Sequence, residues 1–178
     1  VFTGDSNCNF LWGISEDGDG ITRQNETAIP NDLSLCLSSE GCSAPISITQ
    51  NTDPTTITYG NSVSCNGGGG HTDNHYMRRF DVSSSVSAGS LFGVTCVSFG
   101  IESATGGPQP IAVYLYTIPK ADTLLFANLT LIGSRTINDL PDMTLSPYEV
   151  VVTGVMPDPA TQDLVVDVFT PNGQALGR

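Results

Sequence analysis

The apolar residues of this chain recur with the spacing of β-strands and almost nowhere with the spacing of a helix. Over Leu91–Ile101 they fall on both faces of an extended segment, and Ile111–Ile118 is continuously apolar and rich in β-branched and aromatic residues. Such segments are typical of strands buried in a sheet. The same pattern predicts further strands at Phe10–Ile14, Leu33–Leu37, Ile46–Thr49, His75–Asp81, Leu124–Ile132, Tyr148–Val152 and Leu164–Phe169.

Turn-forming residues separate these segments. Gly, Pro, Asn and Asp cluster at 105–108, 140–142, 156–159 and 171–173, where they favour chain reversal. Seven to nine short strands with such turns predict an all-β fold, an antiparallel two-sheet β-sandwich like a jelly roll. Because residues 1–50 are irregular and carry Cys8, Cys36 and Cys42, we expect a disulfide-bearing N-terminal extension that packs on a sandwich domain at residues 51–178.

The net charge of the chain disfavours some classes of binding partner. With 6 basic and 18 acidic residues, the formal net charge is −12, and a surface of this sign repels phosphate backbones and anionic lipid. We therefore expect no nucleic-acid partner.

No apolar run approaches the roughly 18 residues that span a bilayer, so no membrane insertion is expected. The start at Val1, without a leader, is typical of a processed chain, and we expect a secreted or cell-surface protein.

The five cysteines favour disulfides over a metal framework, because no C-x-x-C pair is present. Cys36 and Cys42 are close enough in sequence to close a local loop. Cys8, Cys65 and Cys96 compete for one further bond, and we expect Cys65 and Cys96 to form it. An odd thiol is left over, either free or paired outside this chain.

Two sequons are candidate glycosylation sites. They begin at Asn25 and Asn128, each followed by a threonine two positions later. In a secreted chain this pattern accepts N-linked glycans at a surface position.

A histidine-rich segment is the first candidate metal site. His71, Asp73 and His75 are spaced by two residues, so an extended backbone would place all three side chains on one face. Imidazole and carboxylate groups are the ligands that zinc and related metals accept. The alternative is a pair of polar histidines on the glycine-rich lead-in to a strand.

A second candidate metal site lies near the start of the chain. The run Ser15–Gly20 combines carboxylates with flexible glycines, and resembles half of a calcium loop without completing its pattern. Asp17 and Asp19 are the candidate ligands. A calcium ion would relieve repulsion in so acidic a protein, so calcium is the one expected cofactor.

Arginines in the predicted strand His75–Asp81 are the third candidate. Tyr76, Arg78 and Phe80 share one face of that strand. If this face is inward, Arg78 requires a carboxylate partner such as Glu102, because an unpaired buried guanidinium is too costly. Arg78 and Glu102 then form a structural ion pair, or else Arg78 binds an anionic ligand.

Signatures of common enzymes are missing. The sequence contains no G-x-S-x-G, H-E-x-x-H or G-x-x-x-x-G-K-[ST] motif, so the glycines at 67–70 do not form a phosphate loop. Both histidines lie within five residues and have no serine context for a catalytic triad. Paired carboxylates for glycoside hydrolysis stay open on spacing alone. We expect a protein that is not an enzyme.

Four segments resemble a known family. They read CNGGGGHTDNHYMRRFDV, FGVTCVSFGIESATGGPQPIAVYLYT, LTLIGSRTI and DLVVDVFTPNGQALG. Together they resemble a β-sandwich module of large secreted multidomain bacterial surface proteins, over about residues 60–177. The resemblance implies a non-catalytic surface or adhesion unit without a defined activity. Members of that family continue into another strand where this chain stops at Arg178, which implies either an open sheet edge or a chain that continues.

These features together predict a non-catalytic extracellular structural or surface protein. Its expected route of assembly is strand addition at an open sheet edge, with a second copy or neighbouring domains and subunits as partners. The alternative is a calcium-dependent carbohydrate-binding or adhesion module with glycans as partners. That alternative requires exposed aromatic platforms, and Trp12 is the only tryptophan.

Overall fold

The computed structural model describes residues 2–3, 11–12, 46–53, 56–60, 62 and 71–174. The chain divides into two units, Val1–Pro45 and Ile46–Arg178. In the first unit, strands β1 (Phe2–Thr3) and β2 (Leu11–Trp12) pair antiparallel. Several predictions fall outside the described residues and stay predictions: the strand Leu33–Leu37, the packing of residues 1–50 on the sandwich, and the roles of Cys8, Asp17, Asp19, Asn25, Cys36, Cys42 and Cys65.

The described residues of the second unit form six strands. They are β3 (Asn74–Phe80), β4 (Phe92–Ala104), β5 (Gln109–Pro119), β6 (Thr130–Leu140), β7 (Met143–Met156) and β8 (Gln162–Thr170). Two single 3-10 turns, Ser83–Ser85 and Phe126–Asn128, complete the regular structure of the described residues. In this part of the chain no helix is long and apolar enough to cross a membrane.

The six strands form two antiparallel sheets. One has the order β3-β8-β5-β6 and the other pairs β4 with β7. Side chains from both sheets share one hydrophobic core, so the all-β antiparallel sandwich is confirmed. Strand β8, the last of the described strands, lies between β3 and β5, an order that sequence spacing alone does not reveal.

The core is aliphatic and lies between the sheets. Burying each such side chain contributes roughly 2 kcal/mol, and strand alternation then assigns the remaining side chains to the outer faces. The buried members of the core cluster are Val82, Val94, Val113, Leu115, Val150, Val152, Met156 and Leu164.

Two predicted strands are wrong. The predicted strand Leu124–Ile132 begins only at Thr130 and continues to Leu140, whereas residues 124–128 belong to the connection between β5 and β6. Residues 46–49 form no strand. Short apolar runs predict a strand only where a neighbouring strand or core is present to receive them, and Leu124 and Leu125 are exposed instead. We call residues 120–129 the strap.

Strands β6 and β7 belong to different sheets but approach closely. At Gly133 of β6 an added Cβ would overlap the carbonyl oxygen of Thr153 in β7. At Gly154 an added Cβ would lie 2.9 Å from Leu115 Cδ1 and 3.2 Å from the oxygen of Ile132. The two glycines therefore let the backbones close one side of the sandwich, because no side chain stands between them.

Candidate functional site

Arg79 fixes the start of the strap to the four-stranded sheet. Its Nε donates to Asp163 Oδ2 at 2.6 Å, and its Nη1 donates to the carbonyl of Asp122 at 2.7 Å. Its Nη2 donates to the carbonyls of Pro119 and Lys120 at 3.1 and 2.8 Å. The planar guanidinium thus joins one carboxylate and three main-chain carbonyls, a geometry that its fork of donors suits.

Lys120 completes this charged network. Its Nζ lies 2.6 Å from Asp81 Oδ1 and 3.6 Å from Asp163 Oδ1. The hydrogen bond from Lys120, followed by those from Ser83, holds the pKa of the Asp81 carboxyl well below its usual range. The bond to Asp81 in turn raises the pKa of Lys120. Asp163, only 11% exposed, is therefore compensated by two cations.

Asp167, which lies on β8 like Asp163, has fewer positively charged partners for its carboxylate. Nδ1 of His75 lies 2.8 Å from Oδ2 of Asp167 and donates to it when the carboxylate is charged. Asp167 is fully buried, and its Oδ1 has no hydrogen-bond partner among the described residues. Burial raises the pKa of Asp167, and the bond to His75 opposes the rise. Such a perturbed buried group marks a candidate site.

Aromatic rings surround this carboxylate on the outer face of the sheet. We call the following five residues the aromatic strip: Phe126, His75, Phe169, Tyr114 and Tyr116. Successive ring centroids lie 4.9, 4.5, 6.4 and 6.0 Å apart. The strip thus runs without a break from the strap across β3 and β8 to β5.

Strand register explains why the rings converge. Tyr114 lies directly opposite Asp167 in the β5–β8 pairing, and Phe169 lies opposite His75 in the β3–β8 pairing. Residues that face each other in antiparallel strands share one face of the sheet. Burial, and secondarily the charge of Asp167, raises the pKa of Tyr116. The carboxylate therefore acts electrostatically on the strip around it.

The three predicted metal ligands of the histidine-rich segment do not converge. His71 Nδ1 lies 3.0 Å from the oxygen of Thr72, Asp73 Oδ1 accepts from the backbone N–H of Asn172 at 2.6 Å, and His75 pairs on the sheet. Strand β3 begins at Asn74, so of the three residues only His75 lies within it. Among the described residues no group of three possible metal ligands is found.

The structure gives the predicted partners Arg78 and Glu102 different contacts. Arg78 is exposed on the edge strand β3, where its Nη1 donates to Asn51 Oδ1 at 3.2 Å. The Glu102 carboxylate accepts from the backbone N–H groups of Gly60 and Ser62, each at 2.8 Å. Backbone donors thus satisfy Glu102, and the arginine of β3 that is ion-paired is the next residue in the chain.

The structure also describes Cys96, a predicted disulfide cysteine, and Asn128, a predicted glycosylation site. Cys96 is disulfide-bonded, and the other four cysteines lie outside the described residues, so the connectivity stays a prediction. Asn128 ends the 3-10 turn of the strap, where its Nδ2 donates to the carbonyl of Thr123 at 2.9 Å. Glycosylation at Asn128 likewise stays a prediction.

Asp163 and Asp167 were not among the predicted site residues, but the sequence contains one signal that could have identified them. Asp163 and Asp167 interrupt the strand Gln162–Thr170, which is otherwise rich in valine. Charged residues are almost never fully buried unless they are paired, so an aspartate within a core strand indicates a partner elsewhere. The identity of those partners, Arg79 and His75, depends on strand order.

The comparisons with known proteins give no family. No protein-family model matches this chain, no curated protein matches it, and no solved structure matches it. The resemblance to a secreted surface module therefore stays a prediction, and the function is argued from the site itself.

The His75–Asp167 pair has the geometry in which a carboxylate orients an imidazole. Nucleophilic catalysis also requires a hydroxyl or thiol bonded to the imidazole. Among the hydrogen bonds of the described residues, none joins His75 to a serine, threonine or cysteine.

We expect the stability contributed by Asp167 to fall as the pH rises from about 4, the ordinary carboxyl pKa, through its raised folded pKa. Over this window the folded chain still holds a proton that the unfolded chain has released, so rising pH favours unfolding. Asp167→Asn removes the titration. The free energy of unfolding of the variant minus that of the parent should increase with pH, as measured by urea unfolding between about pH 4 and pH 6.

Asp158→Asn provides a control of opposite sign. The hydrogen bond from the Thr161 hydroxyl lowers the pKa of Asp158, so its contribution is present above the unfolded pKa and lost as the pH falls. For this variant the same difference should decrease as the pH rises toward about 4, the ordinary carboxyl pKa, so its unfolding is measured at and below that pH. A difference for Asp167→Asn that is flat or decreasing would contradict the assignment.

Proposed function

We propose that this chain is a non-catalytic structural or adhesive module of an extracellular surface, which contacts a second copy of itself through the strap. The observation that carries the proposal is a run of three exposed apolar residues. Leu124, Leu125 and Phe126 are 37%, 57% and 58% exposed. Large apolar groups held together at a surface are typical of a protein-protein contact.

The support beneath this run strengthens the proposal. Arg79 fixes the main chain of the strap at Asp122, and the 3-10 turn at Phe126–Asn128 is closed by a hydrogen bond from the N–H of Leu129. Leu131, just beyond the strap, is also exposed. A fixed apolar surface loses little conformational entropy on association, so this face is suited to a specific contact.

Strand addition is a less favoured route of assembly. At the edge strand β3, Gln50 Nε2 donates to the carbonyl of Arg79 at 2.6 Å. On β4, the side chain of Ile57 lies beside Gly100, and β6 and β7 approach each other at Gly133. Each of these strands has a contact that would interfere with an added strand along part of its length, so we assign the contact to the strap.

A calcium-dependent carbohydrate-binding or adhesion module is the second candidate. Exposed aromatic rings favour it, since Tyr59 is 77% exposed and Phe126 is exposed on the strap, and ring faces of this kind present apolar platforms. A glycan array probed with and without calcium tests it. Binding that requires calcium supports this candidate, and an array without binding removes it.

Sedimentation velocity over a range of protein concentrations tests the proposed contact. We expect the parent chain to self-associate and the Leu125→Ser/Phe126→Ser variant to stay monomeric. Val151→Ser/Val155→Ser is the matched control, because these β7 side chains are 40% and 42% exposed on the other sheet. A parent chain that is monomeric throughout, or equal loss of association in the control, would refute the contact.

A further inference from the structure

The aromatic strip encloses a negative charge that the fold leaves under-compensated. Asp167 lies opposite Tyr114, bonds to His75 at 2.8 Å, and is fully buried with one oxygen unpartnered among the described residues. On the same strand, Oδ1 of Asp163 also has no hydrogen-bond partner among the described residues, but Asp163 has Arg79 at 2.6 Å and Lys120 at 3.6 Å. The fold thus supplies cations at one end of β8 and only an imidazole at the other.

The chemistry of the strip suits a particular kind of ligand. The faces of aromatic rings carry partial negative charge and attract cations within about 6 Å. A buried carboxylate adds to this attraction, because solvent and salt screen it less than they screen a surface charge. The net charge of −12 also raises the local concentration of cations. A neutral ligand would gain none of these effects beyond contact with the rings.

We propose that the aromatic strip binds an organic cation, with an alkylated ammonium or a guanidinium over the ring faces and Asp167 supplying the opposite charge. Such cations are large and weakly hydrated, so they lose less on leaving water than a metal ion does. A metal ion would instead require converging ligands, and the described residues contain no group of three. The proposal goes beyond the proposed function and does not depend on self-association.

A titration followed by NMR of the aromatic side chains tests the proposal at pH 8 and low ionic strength. The protein is kept dilute enough to be monomeric, so that a failure of the strap contact does not affect the result. Choline should shift the ring signals of His75 and Tyr114 saturably. The neutral tert-butyl isostere of choline has the same shape without the charge, and equal binding of this isostere would overturn the proposal.

Further ligands distinguish the source of the cation. Tighter binding of choline than of N-acetyl-arginine amide and N-acetyl-lysine amide would assign the site to an alkylated ammonium headgroup. Tighter binding of the arginine or lysine derivative would assign it to a side chain of a protein partner. Binding of methyl glucoside in place of all three cations, or no binding of any of them, would overturn the proposal.

Variants of two neighbouring strap residues locate the site. Phe126→Leu should weaken choline binding about threefold, the effect of losing one exposed cation–ring contact. Leu125→Ala should leave it unchanged, although Leu125 is as exposed as Phe126. Asp167→Asn should weaken binding further, with a backbone spectrum that shows the fold retained. Equal weakening by Leu125→Ala, or no weakening by Phe126→Leu, would overturn the assignment.

Discussion

Replacing Arg79 with methionine is expected to lower the free energy of unfolding by about 3 kcal/mol. The substitution keeps the apolar stem but removes a guanidinium that donates to one carboxylate and three carbonyls. Asp163 would then retain only Lys120 at 3.6 Å. Removing one partner of a mostly buried pair costs more than the pair contributes, because the remaining charge stays desolvated.

Urea unfolding of the variant measures this effect, and the neighbouring arginine provides its control. The Arg78 side chain is exposed and donates one hydrogen bond to the described residues, to Asn51, so Arg78→Met should cost no more than about 0.5 kcal/mol. Arg79→Lys, which keeps the charge without the planar fork, should fall between the two. Equal losses for Arg78→Met and Arg79→Met would show that the guanidinium does not hold the strap.

Substituting alanine for Gly133 is expected to destabilise the chain by about 3 kcal/mol. The added methyl would overlap the carbonyl oxygen of Thr153, a backbone atom that cannot rotate away as a side chain can. Strands β6 and β7 would have to separate, which would open the side of the sandwich that they close. The expected readout is a lower urea midpoint with an unchanged slope.

Gly93 allows the same substitution without the overlap. It lies in β4, and an added Cβ there meets nothing within 4 Å. Gly93→Ala should therefore be neutral or slightly stabilising, since alanine reduces the freedom of the unfolded chain. If Gly133→Ala proved as mild as Gly93→Ala, the close approach of β6 and β7 would not be a requirement of the fold.

Strand β8 explains how one sheet face carries both a structural and a candidate binding feature. Asp163 and Asp167 are four residues apart on that face. Arg79 and Lys120 compensate the first and thereby hold the strap. The second has only His75, with aromatic rings around it. Structural and binding roles thus differ by the partners available, since both residues are aspartates in the same strand.

Several parts of the fold follow from local pattern. Alternating apolar residues and turn clusters predict an antiparallel sandwich. Five of the predicted strands overlap observed strands: His75–Asp81, Leu91–Ile101, Ile111–Ile118, Tyr148–Val152 and Leu164–Phe169. Period-two alternation identifies the faces of each strand because its side chains point to opposite sides. The strap was not predictable in this way, because its leucines resemble a strand in pattern but lie at the surface.

The amino-acid sequence by itself determined the class of fold, the core strands and the acidic net charge. Tertiary structure alone decided that Arg79 rather than Arg78 is ion-paired, and that His75 meets a carboxylate 92 residues away. The physical reason is that alternation specifies a face but not a neighbour. Placing β8 between β3 and β5 brings those side chains together, and that order arises from packing of the whole core.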